Sequence, residues 1–241
     1  MSKSILTLYL QMPMKPLKVL ILLAALLKSG FFTAQPIFRG VPFVNHFSPE
    51  EYKAGIQTWS IVQDARGVIY IANNYGLLEY DGREWETYRV NSGSKMRSIA
   101  LDSDGKIYVG CQGDFGYFFP GANGNLSYTS LADSLTADIR NFDETWSVFI
   151  DRGKIYFCTF SRIYIYENGK FDVLETNNPL ELSFFVNNEL YVLEKNRGLT
   201  KLAGDTLQLM PDGKTFAKSS ISSILPLSKE TLLISTFPAG N

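Results

Sequence analysis

Gly67–Ile71, with the sequence GVIYI, is the stretch that decides the fold, because close variants of it return along the chain. They are GKIYV at Gly105–Val109, GKIYF at Gly153–Phe157, NELYV at Asn188–Val192 and ETLLI at Glu230–Ile234. The Tyr or Leu in the fourth position falls at residues 70, 108, 156, 191 and 233, which gives intervals of 38, 48, 35 and 42 residues. A period in this range indicates a repeat architecture, in which one small unit is copied along the chain.

The fullest unit runs from residue 57 to residue 90 and predicts four short antiparallel strands. Its strand segments are rich in β-branched and aromatic residues and lie at 58–64, 68–73, 77–80 and 84–88. Turn signals separate them at Ala65-Arg66-Gly67, Asn74-Tyr75-Gly76 and Asp81-Gly82. Four short strands joined by tight turns, repeated about every forty residues, predict the blade of a β-propeller.

The sequence therefore predicts an all-β fold, a β-propeller of about four and a half four-stranded blades in an incomplete ring. The blades are predicted near 57–90, 96–131, 145–175, 182–210 and 220–241, after a signal peptide at 1–34 and a pre-blade segment at 35–56. The segment 133–144 is predicted to be a long loop between blades with at most one helical turn. A β-sandwich is the alternative, and the in-phase turn glycines argue against it, because a sandwich gives no reason for such a repeat.

The repeated Ile-Tyr pairs are predicted to be packing residues of the second strand, since neighbouring blades bury their faces against each other. Trp59 and Trp146 lie at matching places at the start of a first strand, and the same packing role is expected for them.

Composition and charge exclude several classes of function. The 241 residues are 45% hydrophobic and 20% charged, with a formal net charge of −1, which is ordinary for a globular protein. There is no basic stripe of the kind that nucleic-acid binding needs, so no nucleic-acid contact is expected. The sequence has no phosphate-binding loop, dinucleotide fingerprint or metal-binding helix motif, so no cofactor and no metal are expected.

The N-terminus predicts export. Lys15 and Lys18 precede the apolar run Val19–Leu27, and Ala34 is a small residue at a plausible cleavage point. A membrane-spanning helix needs about twenty apolar residues, and Lys28 interrupts this shorter run. We expect a signal peptide cleaved near Ala34 and a periplasmic or cell-envelope location, with a retained anchor as the alternative.

Export makes the redox state of the two cysteines, Cys111 and Cys158, relevant. Both lie on predicted second strands, in different blades and one position apart in register. Buried free thiols are the first expectation, since cysteine is often buried as a small apolar residue. A disulfide is the alternative, although its geometry is demanding, and two cysteines at this spacing make no zinc site.

The segment 36–85 resembles the start of a known family. It contains PIFRGVP at 36–42, FSPEEY at 47–52, WSIVQD at 59–64 and GVIYIANNYGLLEYDGREW at 67–85. This is similar to the two-component-regulator propellers of the Bacteroidetes, the group that includes hybrid two-component sensors and triple-tyrosine-motif regulators. The family repeat has a strand ending in Asp, a Gly turn, a hydrophobic strand, then Gly-Leu-x-x-Tyr-Asp-Gly and an aromatic residue. The first unit follows it closely, whereas the second has Phe115-Gly116 in place of Gly-Leu and the third lacks that glycine.

The resemblance, which covers about residues 36–241, implies a role in signalling. In such proteins the propeller is an exported sensor region, followed by an immunoglobulin-like domain, a membrane helix and a cytoplasmic kinase or DNA-binding module. None of these follows here, so we expect a truncated reading frame, with the remaining blades and the downstream signalling domains missing from this chain. An open stack of blades leaves unpaired faces and edges, and poor autonomous folding is therefore expected.

Blade geometry selects the loops in which a ligand would bind. Because successive strands run in opposite directions, the loops between second and third strands, and those between blades, emerge at one end of the ring. The tight turns at 65–67, 103–105 and 151–153 emerge at the other end and offer little for binding. The loop-bearing mouth carries amides, guanidinium groups and aromatic rings, which suit an oligosaccharide, because sugar hydroxyls need paired donors and acceptors and sugar CH faces stack on rings.

The candidate ligand-binding residues are those of the mouth-side loops: Asn73, Asn74, Tyr75, Gln112, Asp114, Phe115, Phe160, Arg162, Asn196 and Arg197. For any one of them, an ordinary solvated loop position is the alternative.

Three functions are weighed from the sequence. The first is an extracytoplasmic sensor or ligand-recognition propeller, implied by the resemblance to be an N-terminal fragment of a glycan-responsive regulator. The second is a structural protein-interaction propeller of the cell envelope. The third and least supported is a propeller glycosidase or lyase, which needs paired carboxylates or an arginine cluster at the mouth. Spacing fixes no such pair, and the single histidine, His46, precedes the first blade, so we expect no catalytic residues and no enzyme.

Overall fold

The computed structural model describes residues 43–90, 93–229 and 231–238. The predicted signal peptide at 1–34 and the first part of the predicted pre-blade segment lie outside the described residues. In the part that the structure describes, no helix is both long and apolar enough to cross a membrane.

Short strands dominate the described chain. The first sheet contains β1 (Thr58–Gln63), β2 (Ile69–Asn73), β3 (Gly76–Tyr80) and β4 (Trp85–Tyr88), and the second β5 (Met96–Leu101), β6 (Ile107–Cys111), β7 (Asp114–Pro120) and β8 (Leu126–Ser130). The third contains β9 (Ser147–Asp151), β10 (Lys154–Cys158), β11 (Arg162–Glu167) and β12 (Lys170–Glu175), and the fourth β13 (Leu180–Val186), β14 (Glu189–Glu194), β15 (Gly198–Ala203) and β16 (Thr206–Leu209). The last described sheet is the pair β17 (Ser219–Pro226) and β18 (Leu232–Pro238).

Within residues 43–90, 93–229 and 231–238, helical structure is confined to single turns. The helix α1 (Pro49–Tyr52) precedes β1, and two 3₁₀ helices, Ala132–Ser134 and Gly213–Phe216, lie between sheets. The predicted inter-blade loop 133–144 is therefore present, and its one helical turn begins at Ala132.

Each sheet is an antiparallel meander of strands that follow one another in sequence. The turns between first and second strands close through Gly67, Gly105 and Gly153, whose φ angles are 89°, 83° and 85°. Glycine adopts this region without the steric penalty that a Cβ would bring. Five consecutive sheets, rather than two sheets facing each other, confirm the predicted all-β propeller architecture and rule out the β-sandwich.

The apolar cores lie between successive sheets and explain the repeated Ile-Tyr motif. Neighbouring side chains on a strand point to opposite faces of the sheet. Tyr70 therefore shares a core with Ile107 of the next sheet, while Tyr108 faces the other way and shares a core with Ile155. In the second, third and fourth motifs, the Ile or Leu before the Tyr covers the preceding sheet and the Tyr covers the following one, which confirms the predicted packing role.

The segment before β1 covers the outer face of the first sheet. The ring of Phe47 lies with its centroid 5.0 Å from that of Tyr80 and 5.3 Å from that of Trp85, and Tyr52 lies 5.7 Å from Trp85. This aromatic cluster gives the first sheet apolar cover on the side that no described sheet contacts.

Cys111 and Cys158 are both buried and both free, as expected from the sequence. Cys111 belongs to the core between the first and second sheets, and Cys158 to the core between the third and fourth. Burial raises the pKa of the Cys158 thiol to about 12 and also raises the pKa of Cys111. The alternative of a disulfide is wrong for this structure, because the two thiols lie in different cores.

Candidate functional site

The two ends of the sheet stack differ in construction. We term "rim" the end at which β1 begins and β2 ends, with the equivalent ends of the other sheets, and "turn end" the opposite one. All ten predicted ligand-binding residues lie at the rim, since they follow second strands or begin third strands. The structure divides them into buried residues, ion-paired residues and accessible residues.

Three of the predicted residues, Asn73, Asp114 and Phe115, are buried, so the prediction that they contact a ligand is corrected. The Asn73 amide oxygen accepts hydrogen bonds from the backbone N–H groups of Gly55 (3.1 Å) and Tyr75 (3.0 Å), which ties the pre-blade segment to the first sheet. Asp114 Oδ1 accepts hydrogen bonds from the backbone N–H of Phe115 and from the Ser130 hydroxyl. Both polar side chains therefore satisfy neighbouring groups of the protein itself.

Phe115 is fully buried because it is the second residue of β7 and alternation turns it into the core between the second and third sheets. Its ring stacks on Phe157 at a centroid distance of 4.3 Å and on Phe142 at 5.2 Å. A ligand at the rim does not reach this ring.

The two predicted arginines are held by carboxylates of the same chain. Arg162 Nε lies 2.7 Å from Glu175 Oε1, and Arg162 Nη1 donates to the backbone carbonyl of Asn141. Arg197 Nη1 lies 2.6 Å from Oε1 of Glu194, a carboxylate that is 1% exposed. Both guanidinium groups fix rim loops in place, and a cavity of about 320 Å³ lies beside the second pair.

The remaining predicted residues are accessible to solvent in whole or in part. Tyr75 is 56% exposed and Phe160 is 37% exposed, while Gln112 and Asn196 are exposed and Asn74 is half-buried. Their contact with a ligand stays a prediction.

The structure adds a cluster at the rim that the site prediction did not include. The Arg97 guanidinium lies over two indole rings that also contact each other, with Cζ 4.4 Å from the Trp59 centroid and 5.1 Å from the Trp146 centroid. The two indole centroids are 5.6 Å apart, and the Phe160 ring lies 5.6 Å beyond Trp146. We term Trp59, Trp146 and Phe160, with Arg97 among them, the aromatic arc.

Trp59 is 42% exposed, so the expectation that it is only a packing residue is wrong. Its indole Nε1 donates a 2.9 Å hydrogen bond to Asn74 Oδ1, which fixes the ring at the surface. The Trp146 indole N–H is buried and has no hydrogen-bond partner among the described residues.

A β-bulge accounts for the outward placement of Trp59 and Arg97. The pairing of β1 with β2 shifts in register between Thr58 and Ser60, so Trp59 is an extra residue in its strand. The pairing of β5 with β6 shifts at the corresponding place, which makes Arg97 the extra residue there. A bulge interrupts the alternation of side chains and re-aims the extra one. Both residues therefore leave the inter-sheet cores and meet at the rim.

The charge of Arg97 is compensated within the arc. Its Nη2 lies 2.9 Å from Glu144 Oε1, its Nε lies 3.3 Å from Glu144 Oε2, and its Nη1 donates a 3.0 Å bond to Asn74. The Arg97 side chain is only 8% exposed, and a charge this far from water is tolerated when it is paired and hydrogen-bonded. Attraction between a cation and an indole face adds to its retention.

The sequence contains a pattern that relates three residues of the arc. Residues 58–61, 96–99 and 145–148 read TWSI, MRSI and TWSV, so Trp59, Arg97 and Trp146 occupy the same place in three successive units. Aligning the units on their first strands, instead of on the glycine motif, shows that the three residues occupy equivalent positions.

The turn end has a different character. A groove of about 560 Å³ opens there between the first and second sheets. The floor of the groove includes Tyr70, Leu101 and Phe119, and the tight turns of both sheets form its edge. In the described part of the chain, no group of three or more His, Cys, Asp or Glu side chains could hold a metal ion.

Similarity to known proteins is found at the level of fold. No protein-family profile and no curated protein sequence matches this chain. Among solved structures it is similar to the extracellular domain of a hybrid two-component system, BT4673, from B. thetaiotaomicron, with 17% identity and a TM-score of 0.56. This match covers 74% of this chain and 25% of that one.

Virginiamycin B lyase from Staphylococcus aureus is similar at 15% identity and a TM-score of 0.54, over 73% of this chain and 62% of the lyase. The WD40 propeller domain of Doa1 is similar at 11% identity and a TM-score of 0.53, over 73% of this chain and 61% of that domain. The chain thus spans less than two thirds of each of these three structures. At such identities the matches show the propeller fold alone, and sensors and an enzyme are both among the proteins that share it.

Proposed function

We propose that this chain is an extracytoplasmic sensor or ligand-recognition propeller that binds an oligosaccharide at its rim. The observation that carries the proposal is the aromatic arc, in which Trp59, Trp146 and Phe160 contact one another in turn and Arg97 packs on both indoles. Rings held in fixed positions at a surface suit sugars, because the CH face of a pyranose stacks on an aromatic face. The exposed amide of Gln112 supplies a donor and an acceptor for hydroxyl groups, while the Asn74 amide holds Trp59 and Arg97 in place.

A role without catalysis is part of the proposal. The rim carboxylates of Asp114, Glu144 and Glu194 are each engaged by donors of the same chain, whereas a general acid or base must be free to exchange protons with a substrate. A lyase variant in which a histidine is replaced by alanine is catalytically inactive. The one histidine of this chain, His46, precedes the first sheet and lies outside the arc.

Export and membership of the two-component-regulator propeller family complete the proposal. They are supported by the charged and apolar N-terminal segment, by the match of residues 67–85 to the family repeat, and by the shared fold with an extracellular sensor domain. In this proposal the blades and signalling domains named above belong to the intact regulator, and the present chain supplies part of its sensing surface.

The test is binding of the purified chain to a glycan array, followed by calorimetry with the best oligosaccharide. We expect Trp59→Ala to weaken binding about five- to thirty-fold, since removal of one stacking ring costs on the order of 1–2 kcal/mol. Phe119→Ala is the matched control, because Phe119 is an exposed ring at the turn end. Equal loss of binding in both variants, or no glycan bound by the unaltered chain, would contradict the proposal.

The alternative is a structural protein-interaction propeller of the cell envelope. The groove at the turn end favours it, because apolar residues such as Tyr70, Leu101 and Phe119 lie in one opening beside charged turn residues, and apolar surface rimmed by polar groups marks sites of macromolecular contact. Envelope proteins captured by the unaltered chain but not by Phe119→Ala, without any glycan binding, would favour this alternative.

A further inference from the structure

We infer that the rim selects neutral oligosaccharides over those that carry uronate or sulfate groups, and that Glu144 enforces this choice. The inference rests on the proposed function and assigns the class of ligand that the same site takes. It follows from the ion pairs that already engage the charged side chains of the rim.

Arg97 is the cation at the centre of the aromatic arc, and a free guanidinium there would chelate a carboxylate or sulfate with two parallel hydrogen bonds. In this structure the N–H donors of the Arg97 guanidinium are already engaged by groups of the protein. Its Nε and Nη2 face the two oxygens of Glu144, and its Nη1 is bonded to Asn74. The indoles of Trp59 and Trp146 lie within cation–π distance of it. An anionic ligand therefore finds neither a donor pair nor an open face on this arginine.

The other rim arginines are also paired within the chain. Arg162 is held by Glu175, Arg197 by Glu194, and Arg140 lies 3.6 Å from Asp133 while donating to a backbone carbonyl. Arg89 is exposed, but it follows β4, the outermost strand of the first sheet, and so lies at the margin of the rim.

The neighbouring cavity beyond Phe160, of about 400 Å³, is charge-balanced as well. It is lined by Glu181 and Lys195, which carry opposite charges, and by Pro179 and Leu182. A sugar chain that runs from the arc into this cavity meets apolar side chains, the Ser220 hydroxyl and one charge of each sign, with no excess of positive charge.

An acidic sugar placed on the arc would bring its negative charge towards Glu144, whose side chain is 16% exposed. Because Arg97 and Glu144 neutralise each other, an anionic ligand gains no attraction there to offset the desolvation of its own charge, and such an uncompensated charge on the wrong ligand is a source of specificity. A neutral sugar avoids this penalty and loses nothing, because stacking on a ring needs no charge.

The decisive variant is Glu144→Gln, which keeps the shape of the side chain and an acceptor for Arg97 but removes the negative charge. Glu167→Gln is the matched control, because Glu167 pairs with Lys154 at the turn end (3.4 Å) and its loss changes the net charge by the same amount. Each full-length variant is first compared with the unaltered chain by thermal melting, so that a folding defect is recognised.

Binding is measured by calorimetry with three probes: neutral cello- and manno-oligosaccharides, oligogalacturonate, and a sulfated oligosaccharide. We expect the unaltered chain to bind neutral probes at least about ten-fold more tightly than acidic ones. The neutral affinity should change by less than about two-fold between low and high salt, since no ion pair with the ligand is screened. Glu144→Gln should raise the ratio of acidic to neutral affinity about five-fold, whereas Glu167→Gln should leave that ratio unchanged.

The outcomes separate the inference from the proposed function. If acidic probes bind the unaltered chain best and Trp59→Ala abolishes that binding, the neutral specificity is overturned while recognition at the rim stands. If no probe of any class binds, both fail together. The comparison of probes on the unaltered chain keeps the inference falsifiable even where Glu144→Gln does not fold.

Discussion

The rim and the turn end are built from the same strands, yet the first tight turn satisfies its polar groups locally, whereas the charged group at the centre of the rim depends on partners from neighbouring sheets. At the turn end, Asp64 Oδ1 accepts the backbone N–H groups of Arg66 and Val68, so the turn satisfies its own polar groups within a few residues. At the rim, Arg97 reaches Asn74 in the preceding sheet and Glu144 in the loop before the next one. A self-contained turn has little left for a ligand, whereas groups that must find distant partners can be arranged around one.

The largest expected difference between the two ends concerns glycine. Gly76 begins β3 at the rim with φ 137°, and a Cβ there would meet the Tyr88 carbonyl oxygen at 2.2 Å. Gly67 at the turn end also has positive φ, but the nearest atom to a Cβ is a flexible Gln63 side chain at 3.8 Å. We expect Gly76→Ala to lower the free energy of unfolding by about 4 kcal/mol and Gly67→Ala by about 1 kcal/mol.

Urea denaturation of the two glycine variants measures these values. Similar losses in both would mean that backbone strain, rather than the close approach at β4, governs the two positions.

The next difference concerns arginine. Arg97→Met removes a cation that is 8% exposed and leaves Glu144 without its partner, and we expect a loss of about 3 kcal/mol of unfolding free energy. Arg66 pairs with Asp64 at 2.7 Å but is 72% exposed, so Arg66→Met should cost less than about 1 kcal/mol. Chemical denaturation at neutral pH measures the unfolding free energy of both variants. A loss from Arg66→Met as large as that from Arg97→Met would contradict the expected difference between the two ends.

The smallest expected effect is the pH dependence of the first turn. Burial raises the pKa of Asp64, but hydrogen bonds from the Arg66 side chain and from the backbone N–H groups of Val68 and Arg66 outweigh it, and the pKa lies below its usual value. A depressed pKa stabilises the folded chain above the unfolded pKa and ceases to do so as pH falls through the folded one. Asp64→Asn should therefore be less stable than the unaltered chain at neutral pH, and the gap should close below about pH 4.

Thermal melting of Asp64→Asn and of the unaltered chain across that range is the measurement. A gap that stays constant with pH would show that the hydrogen bonds of Asp64 act without its charge.

Much of the fold was predictable because its causes are local. A turn that needs positive φ selects Gly67, and the alternation of a strand sends Tyr70 and Ile71 to opposite faces. The buried residues Asp114 and Phe115 were misassigned to the binding surface because a loop position was taken to imply exposure. The strand β7 begins at Asp114, and strand alternation turns the next side chain inward.

The contacts within the aromatic arc could not be predicted from the sequence for a different reason. Trp59, Arg97 and Trp146 meet only because bulges re-aim the first two, and a bulge depends on pairing between strands that the repeat motif does not describe. The matching TWSI, MRSI and TWSV segments indicate equivalent positions, but not that these positions touch.

The cores between sheets have a consequence for how the chain acquires its structure. Every core cluster of the described residues joins sheets that are adjacent in sequence. Each newly emerged sheet can therefore dock on the one made just before it, without waiting for distant segments. Assembly can proceed vectorially, blade after blade, as the polypeptide leaves a ribosome or a translocation pore.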